Sequence, residues 1–284
     1  MKGYFRKRGR KTVKILDRVR KENEVLVMGV LNVTPDSFSD GGEFLERDSA
    51  VERVMEMEEN GADVIDIGGE STRPGADQVP LEKELGRTVP VIEAVRKETD
   101  VPISIDTYKS GVAEAALDAG ADIINDISAL RFDPDLGRVA AERGVPLVLM
   151  HMQGTPQTMQ QDPTYGDPVE DIMDFLGERV EEAKALGVEE DQLVLDPGIG
   201  FGKRLEDNYE ILRRLEEFKQ LGYPLLLGTS RKSFLGATLD LPTEERLEGT
   251  IASNVVGVIR GADILRVHDV KEVYRAAQVA VRCR

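Results

Sequence analysis

Residues 61–70 read Gly-Ala-Asp-Val-Ile-Asp-Ile-Gly-Gly-Glu, and they show the pattern from which the fold is predicted. The apolar residues from Asp63 to Ile67 predict a short strand, and polar or glycine residues follow at its carboxyl end. The tripeptide Gly-Ala-Asp opens two further strands, at residues 120–122 and 261–263, each after a helical stretch. Because glycine adopts the left-handed conformation that ends a helix, we interpret the tripeptide as a structural helix-to-strand turn.

Short runs rich in Val, Ile and Leu recur along the chain and predict eight strands. The runs are Val25–Leu31, Asp63–Ile67, Pro102–Ile105, Asp122–Ile124, Val145–Met150, Gln192–Leu195, Pro224–Leu227 and Ala262–Val267. Stretches with helical periodicity lie between most of them, for example Ser49–Asn60 and Asp207–Leu221. Nearly continuous apolar strands that alternate with helices are typical of a parallel sheet covered on both faces.

Every predicted strand ends in polar, charged or glycine residues. These ends are Asn32, Gly68–Glu70, Asp106, Asn125–Asp126, His151, Asp196, Gly228–Lys232 and Arg266–His268. In a closed barrel such ends form one rim, where active sites of this fold are built. An open doubly wound sheet is the alternative, but no Gly-x-Gly-x-x-Gly turn follows the first strand. We therefore predict an α/β fold with a single (β/α)8 TIM barrel.

Charge is unevenly distributed along the chain. Residues 1–21 contain ten Lys or Arg and one acid, Asp17, whereas the whole chain has a formal net charge of −16. We predict a basic N-terminal extension over residues 1–24 and a barrel over residues 25–284. The extension is interpreted as a solvated arm, with a contact to RNA or an acidic partner as the alternative. The acidity of the remainder argues against a nucleic-acid-binding protein.

Cysteine content and hydropathy point to the compartment. The only cysteine, Cys283, cannot form a disulfide within the chain, which fits a reducing environment. No apolar run approaches the ~20 residues that cross a bilayer, and no signal-peptide pattern follows the N-terminus. We therefore predict a cytoplasmic protein without a membrane partner.

A polar, glycine-rich segment, Asn32–Gly42, follows the first strand. It is too polar to pack in a core and too long for a simple connector, so we predict a mobile lid. The amide oxygen of Asn32 is suited to a hard cation such as Mg²⁺, and an asparagine turn is the alternative explanation of this residue.

Acidic and amide side chains end the third, fourth and sixth strands. Asp106, Asn125 and Asp126 bring carbonyl-type acceptors to one mouth, with a helix N-cap as the alternative for each. The carboxylate of Asp196 can accept two parallel N–H donors from an amidine-like edge, such as that of a guanine or pterin. Nothing in the Pro-Gly turn after Asp196 is expected to require this charge, and leaving it unpaired would be costly.

Cationic side chains follow the second and seventh strands. In the Gly68–Gly75 loop a type II turn explains Pro74-Gly75 but leaves Arg73 unexplained. The first five residues of the segment Gly228–Gly236 place two cations and two hydroxyls together, which indicates recognition of an anion or heteroatom, although the segment is not a Walker A loop.

The last strand ends in Arg266 and His268, which alternate, so both are predicted to point inward. Phosphate sites in such barrels often lie beside the last two strands. The sequence has only two histidines, His151 and His268, which argues against a histidine-based zinc site.

Seven blocks in order along residues 25–280 together resemble dihydropteroate synthases, a family of pterin-binding TIM barrels. The blocks are Met28–Gly42, Gly69–Gly75, Ser104–Thr107, Asn125–Asp126, Leu195–Lys203, Ser230–Gly236 and Arg266–Asp269. Methyltetrahydrofolate-binding methyltransferase barrels share the Asp and Asn positions and are the alternative family. They are not expected to carry the Ser-Arg-Lys-Ser block or the first lid in this form. A non-catalytic binding protein is a third hypothesis, against which the many charged strand ends argue.

The resemblance implies condensation of 6-hydroxymethyl-7,8-dihydropterin diphosphate with p-aminobenzoate, giving 7,8-dihydropteroate and pyrophosphate. It implies that the pterin binds Asp106, Asn125, Asp196 and Lys232, and that the diphosphate binds Thr72, Arg73, Arg266 and His268. The implied p-aminobenzoate pocket contains Pro74, Phe201, Arg231 and Ser233, and the implied Mg²⁺ ligand is Asn32. The implied catalytic residues are Asp36, in the closing lid, with Asp106, Lys232, Arg266 and His268. A homodimer through barrel helices away from the rim is also implied.

The residue types agree with this chemistry. An aromatic amine is already neutral at pH 7, so no strong general base is required. The difficult step is the departure of pyrophosphate, which cations at the rim can stabilise. We expect S_N1 character, with anionic Asp106 and Asp196 favouring a cationic pterin. Arg204 departs from the family pattern, which often has Thr after the Lys203 position.

Overall fold

Eight parallel strands form the frame of the protein, which is described by a computed structural model over residues 15–19, 24–33 and 43–284. The strands are β1 Leu26–Asn32, β2 Val64–Gly68, β3 Ile103–Asp106, β4 Ile123–Asp126, β5 Leu147–Met150, β6 Leu193–Asp196, β7 Leu226–Leu227 and β8 Ile264–Val267. They are hydrogen-bonded in the order β6-β5-β4-β3-β2-β1-β8-β7. Each predicted strand is therefore present, and β7 is the shortest.

The sheet closes on itself between β6 and β7. A parallel bridge joins Leu195 to Leu225, and the backbone N–H of Leu195 donates to the carbonyl of Pro224 over 2.9 Å. The predicted single (β/α)8 barrel is thus confirmed. An open doubly wound sheet would instead leave two edge strands without a partner.

Helices cover the outside of the barrel. They are α1 Glu43–Glu59, α2 Leu81–Glu98, α3 Ser110–Ala119, α4 Asp135–Arg143, α5 Pro168–Ala185, α6 Leu205–Arg213, α7 Ser233–Leu239, α8 Leu247–Ile259 and α9 Val270–Ala280. Short 3₁₀ helices span Glu190–Gln192, Leu215–Leu221, Thr243–Glu245 and Val281–Cys283. None of the helices in the described ranges has the length and apolar character needed to cross a bilayer.

Two predicted helix boundaries are wrong. The helix predicted over Ser49–Asn60 begins earlier, at Glu43, and ends at Glu59. The helix predicted over Asp207–Leu221 is two elements, because the backbone of Arg214 leaves the helical region with φ −113° and ψ 21°. The Arg214 guanidinium there donates to Asp167, at the start of α5, over 2.7 Å. A contact between elements distant in sequence thus accompanies a break that helical periodicity did not show.

The inner face of the barrel is apolar at its amino-terminal end. One cluster of buried side chains comes from seven strands: Leu26, Met28, Val64, Ile123, Val148, Val194, Leu226 and Ile264. Ile15, Leu16 and Val19, from the helical segment of residues 15–19, belong to the same cluster. Full burial of each aliphatic side chain contributes about 1.5–3 kcal/mol, so this segment stabilises that end of the barrel. The domain division at residues 24 and 25 stays a prediction.

The Gly-Ala-Asp tripeptides have the structural role that the sequence predicts. Gly61, Gly120 and Gly261 adopt φ of 101°, 121° and 100°. The aspartates that follow accept backbone N–H groups at the starts of neighbouring strands. These bonds join Asp63 to Val27 (2.9 Å), Asp122 to Ile103 (3.0 Å) and Asp263 to Leu225 (2.9 Å). All three lie at the amino-terminal end of the barrel, away from the rim.

Candidate active site

The inward-facing side chains become polar towards the carboxyl ends of the strands. They come from β2, β3, β4, β6 and β8 and are Asp66, Ser104, Asp106, Asn125, Asp196 and Arg266. All are buried except Arg266, which is half-buried. Because a buried charge is costly without a partner, the pairing among these groups determines what the site can bind.

Arg266 connects two of the carboxylates. Its Nε donates to Oδ2 of Asp66 and its Nη2 donates to Oδ2 of Asp106, both over 2.6 Å. Burial opposes the guanidinium charge, but the two carboxylates outweigh it and raise the pKa of Arg266. Burial raises the pKa of Asp106, while Arg266 opposes that shift. The inward direction predicted for Arg266 is confirmed.

Asn125 and Asp126 are neighbours at the end of β4 but face different surroundings. Nδ2 of Asn125 donates to Oδ2 of Asp66 over 3.1 Å, so Asn125 joins the central group. The carboxylate of Asp126 accepts the backbone N–H groups of Ser128 and Leu130 over 2.7 and 2.6 Å. Asp126 therefore shapes the turn after β4, in the manner of the capping alternative left open for it.

Asp196 lies at the end of β6, and its surroundings correct one expectation. Its Oδ1 accepts the backbone N–H of Gly198 over 2.7 Å, so the following turn does use this carboxylate. A side chain at residue 198 would collide with the carbonyl oxygen of His151, which explains the glycine there at φ 69°. Burial raises the pKa of Asp196, and the charge of Lys232 opposes that shift.

Lys232 approaches Asp196 from the loop that precedes α7. Its Nζ donates to the carbonyl of Ile199 and lies 4.6 Å from the ring centroid of Phe201. Burial lowers the pKa of Lys232 to about 8, while Asp196 favours the charged form. The arrangement places a cation and an aromatic face beside the Asp196 carboxylate.

Two residues of the site were not identified from the sequence. Lys203 is buried, and its Nζ lies 2.9 Å from Nδ1 of His151. Burial lowers the pKa of both groups well below their ordinary values. Asp66 lies in the middle of β2 rather than at its end. Its signal was the alternation of strand residues, since Asp66 and Gly68 must face the same side.

The loop after β2 lies at the rim. Thr72 is half-buried, whereas Arg73 and Pro74 are exposed. The loop is held at both ends, because Arg87 donates to the carbonyl of Gly69 over 2.7 Å and the N–H of Gly75 donates to the carbonyl of Pro156 over 3.0 Å. The guanidinium of Arg73 is therefore presented to solvent on a fixed loop.

His268 is half-buried at the end of the last strand. Its Nδ1 lies 3.1 Å from Oγ of Ser230. Burial lowers the pKa of His268 to about 4, and the positive charges of Arg266, Arg231 and Arg73 add to this shift. His268 is thus neutral at pH 7 and offers a hydrogen bond rather than a positive charge.

The residues implied for p-aminobenzoate lie around the loops after β6 and β7. Phe201 packs beside a buried cluster that includes Tyr108 and Met152. Arg231 has φ 58°, and its Nε donates to Oδ2 of Asp269 over 3.0 Å. Ser233 is exposed at the first turn of α7.

Asn32 ends β1 and is half-buried, with its Cα paired to that of Gly68. The described ranges contain no group of three His, Cys, Asp or Glu side chains arranged to hold a metal ion. An amide oxygen is a suitable donor for Mg²⁺, which commonly takes one or two protein ligands together with phosphate oxygens and water. Asn32 fits that mode of binding. Asp36 lies outside the described residues, as do residues 34–42 of the predicted lid.

Comparisons with known proteins identify a matching family and several similar proteins. A family model described as pterin binding enzyme matches residues 28–268. The dihydropteroate synthase of Clostridium beijerinckii is 52% identical over 254 residues, which cover 89% of this chain and 92% of that protein. A Clostridium difficile dihydropteroate synthase solved in the presence of pteroic acid has a TM-score of 0.87 at 48% identity, covering 92% of this chain and 97% of its own. A Xanthomonas albilineans dihydropteroate synthase with 4-aminobenzoic acid has a TM-score of 0.86 at 44% identity, covering 92% and 94%.

The buried carboxylates and amide in the mouth of this barrel can pair with N–H groups of a flat nitrogen heterocycle, and the family match agrees: this is a barrel of the pterin-binding class. Within that class the chain belongs to the dihydropteroate synthase family. It is an enzyme, a transferase, and the dihydropteroate synthase function predicted from the sequence is confirmed.

Proposed function

We propose that the residues at the rim transfer the pterin-methyl group of the pterin diphosphate to p-aminobenzoate. The amine nitrogen forms a bond to the exocyclic carbon, the carbon–oxygen bond to the diphosphate breaks, and the amine loses a proton. One observation carries the assignment of residues. Asp106, Asn125, Asp196, Lys232 and Arg266 approach one another at a single barrel mouth through hydrogen bonds or close charges.

Pterin recognition is assigned to the buried groups of the mouth. Asp196 accepts N–H groups from the amidine-like edge of the ring, with one carboxylate oxygen already anchored by Gly198. Asp106 and Asn125 face the same space from neighbouring strands, with their Cα atoms paired in register. Lys232 supplies a donor beside the ring. Bidentate contacts to a carboxylate give both affinity and orientation.

Departure of pyrophosphate is assigned to Thr72, Arg73, Arg266 and His268 at the rim. The guanidinium groups stabilise negative charge that develops on the leaving oxygens, and neutral His268 contributes a hydrogen bond. The electron-rich dihydropterin can carry positive charge at its exocyclic carbon, and anionic Asp106 and Asp196 favour that charge. The reaction therefore has S_N1 character, and positioning with electrostatics supplies the rate.

Mg²⁺ is proposed to bind the amide oxygen of Asn32 together with diphosphate oxygens. When bound it neutralises charge on the leaving group. Asn32 is the one ligand proposed among the described residues, and so few protein ligands would explain why the ion binds with the substrate rather than before it.

The p-aminobenzoate pocket is assigned to Pro74, Phe201, Arg231 and Ser233. Phe201 offers an apolar ring face, and Ser233 offers an exposed hydroxyl for the substrate carboxylate. We propose that the lid, Asn32–Gly42 with Asp36, excludes water, which would otherwise trap the pterin cation as the alcohol.

The function is tested by a pyrophosphate-release assay with the pterin diphosphate, in which p-aminobenzoate is either present or withheld. We expect pyrophosphate release to require both substrates and to stop when a chelator removes Mg²⁺. Tight folate binding without dependence on the diphosphate would instead favour a methyltransferase barrel. Release that continues unchanged in the chelator would exclude the proposed role of Mg²⁺.

We expect a bell-shaped pH dependence of kcat/KM for the pterin diphosphate. Asp106 must be ionised to accept N–H groups, and its raised pKa places the acid limb above the value of about 4 for a solvated aspartate. Lys232 must be protonated to donate, so the rate falls as the pH rises through about 8. Measurement between about pH 5 and 10 checks both limbs. In Lys232→Arg, whose side chain stays charged, the base limb should disappear, and a limb unmoved from pH 8 would contradict the assignment.

A homodimer is proposed through α8 and α9. Val256 and Ile259 on α8 are 42% and 46% exposed, and Val279 on α9 is 65% exposed. The two helices pack against each other on the outside of the barrel, and each carries exposed apolar side chains. Apolar surface of this kind, away from the rim, is typical of a subunit interface.

Charges on this surface should separate the subunits. We expect Val256→Glu combined with Ile259→Glu to halve the mass measured by light scattering, because a dimer would bury both carboxylates without partners. Leu81→Glu is the matched control, since Leu81 is similarly exposed, at 40%, but lies on α2. An unchanged mass in the double variant would place the interface elsewhere.

We also propose that the enzyme acts in the cytoplasm on small-molecule substrates without nucleic acid or membrane partners. Its one cysteine, Cys283, is free and exposed, as a reducing compartment permits.

A further inference from the structure

Asp66 lies at the centre of the buried polar group, yet no role in the reaction has been assigned to it. Its Cα pairs with Val30 on β1 and Ser104 on β3, and its side chain is fully buried. The two side-chain donors that it receives, Arg266 Nε and Asn125 Nδ2, both reach the same oxygen, Oδ2. Oδ1 accepts no hydrogen bond from any part of the chain that the structure describes.

We infer that Asp66 is a positioning residue for pterin recognition, which orients the Arg266 guanidinium and the Asn125 amide without touching the substrate. The inference rests on the proposed contacts of Arg266 and Asn125 with the pterin diphosphate.

The first step concerns the amide of Asn125. An ionised carboxylate can only accept hydrogen bonds, so Asp66 requires the NH₂ group of Asn125 to face it. The amide oxygen is then directed away from Asp66, in a fixed orientation. An asparagine at position 66 offers both a donor and an acceptor, and it would permit either orientation of the Asn125 amide.

The second step concerns the plane of the Arg266 guanidinium. Asp66 holds Nε from one side and Asp106 holds Nη2 from the other, both over 2.6 Å. Two contacts on a rigid planar group fix its orientation. Among the described residues, none accepts a hydrogen bond from Nη1, so this donor is available to a ligand in the mouth.

The third step concerns charge at Asp106. Burial raises the pKa of Asp106, Arg266 lowers it, and Asp66, Glu84 and Asp126 raise it. Lys232 faces Asp106 from the loop before α7. Because Asp106 still holds Nη2 of Arg266 when the charge of Asp66 is removed, the pKa of Asp106 should fall, and Asp106 should stay ionised to lower pH.

The test compares Asp66→Asn with the wild type. The variant keeps the shape of the side chain, and misplacement of both partners should lower kcat/KM for the pterin diphosphate by about 100-fold. KM for p-aminobenzoate should change little. The acid limb of the pH profile should move about one unit to lower pH, which a merely structural role would not produce. Asp263→Asn is the matched control, because it removes the charge of another buried aspartate at the opposite end of the barrel, and it should leave both quantities within about threefold of the wild type.

A second comparison decides the matter if Asp66→Asn folds poorly. Arg266→Gln and the double variant Asp66→Asn/Arg266→Gln are compared by calorimetric binding of the pterin diphosphate at several pH values. The double variant removes both charges together, so it leaves neither Arg266 nor Asp66 as an unpaired ion. Asp66 acts partly through Arg266, so the double variant should bind the pterin diphosphate less than about tenfold more weakly than Arg266→Gln does. The acid limb of binding in the double variant should lie at lower pH than in Arg266→Gln.

Three results would overturn the inference: near-normal kcat/KM in Asp66→Asn, lost activity with an unmoved acid limb, or a full second loss of binding in the double variant. Failure of the proposed function would look different. The wild type would then release no pyrophosphate in response to p-aminobenzoate, whereas the binding comparison would still report on Asp66.

Discussion

Replacing Asp196 with asparagine should abolish measurable pterin binding while leaving the barrel folded. The substitution exchanges a bidentate ionic acceptor for an amide, and the lost contacts amount to about 2–4 kcal/mol. This corresponds to a loss of affinity of about 30-fold to nearly 1,000-fold. Calorimetric titration of the pterin diphosphate in the absence of p-aminobenzoate measures the effect directly.

The structure shows why Asp196→Asn should weaken pterin binding while the turn after β6 stays intact. Its amide oxygen can still accept the N–H of Gly198, a bond that spans 2.7 Å in the present structure, so the turn is retained. The NH₂ group must then face the pterin, where donor would meet donor. Asp122→Asn is the matched control, because Asp122 bonds the N–H of Ile103 at the opposite end of the barrel. It should lower stability without changing affinity, and near-normal binding by Asp196→Asn would refute the assigned role.

The second large effect is expected from Arg266→Met. This change removes the cation that holds two buried carboxylates, Asp66 and Asp106, and breaking a buried pair in this way costs about 3–5 kcal/mol of stability. Urea unfolding at pH 8 should show the loss, and dihydropteroate formation should cease because the diphosphate loses a proposed contact.

The loss should depend on pH with a definite sign. Burial already raises the folded-state pKa of Asp106, and without Arg266 that pKa rises further. A carboxyl group whose pKa is higher in the folded than in the unfolded chain favours folding when protonated, so stability is lost as pH rises through the folded-state pKa. The variant should therefore be closest to the wild type at about pH 5 and weakest at about pH 8.

Arg260→Met provides the control for Arg266→Met. Arg260 also pairs with a carboxylate, Glu216, over 2.6 Å, but both side chains are exposed. Solvent screens such pairs, so the change should lower stability far less than Arg266→Met does and should show little dependence on pH. If the two substitutions lowered the free energy of unfolding equally, burial of the central ion pairs would make no difference to their contribution to stability.

Much of the fold could be predicted from local patterns. Parallel strands in a barrel are buried on both faces, so their apolar runs stand out and all eight were found. The Gly-Ala-Asp turns were also interpreted correctly, because left-handed glycine and strand-start aspartate are local features. The break at Arg214 was not found, since it involves a contact with Asp167 from another helix.

The candidate site was predicted less completely. Residues at strand ends, such as Asp106, Asn125 and Asp196, were found because all carboxyl ends of a parallel barrel meet at one rim. Asp66 was missed because it lies inside a strand, where a polar residue in a short apolar run has no distinctive spacing. The neutral state of His268 could not be predicted from the sequence either, because burial and three neighbouring guanidinium groups produce it.

The barrel and its order of elements could be read from the amino-acid sequence alone, and so, through the resemblance of seven blocks, could the family. These features depend on local periodicity and on short motifs that do not change with their surroundings. The pairing of the buried charges became visible only in three dimensions, as in the bond between Asp66 and Arg266, which lie 200 residues apart in the chain. Pairing and pKa depend on distance and burial in space, and neither can be obtained from separation along the chain.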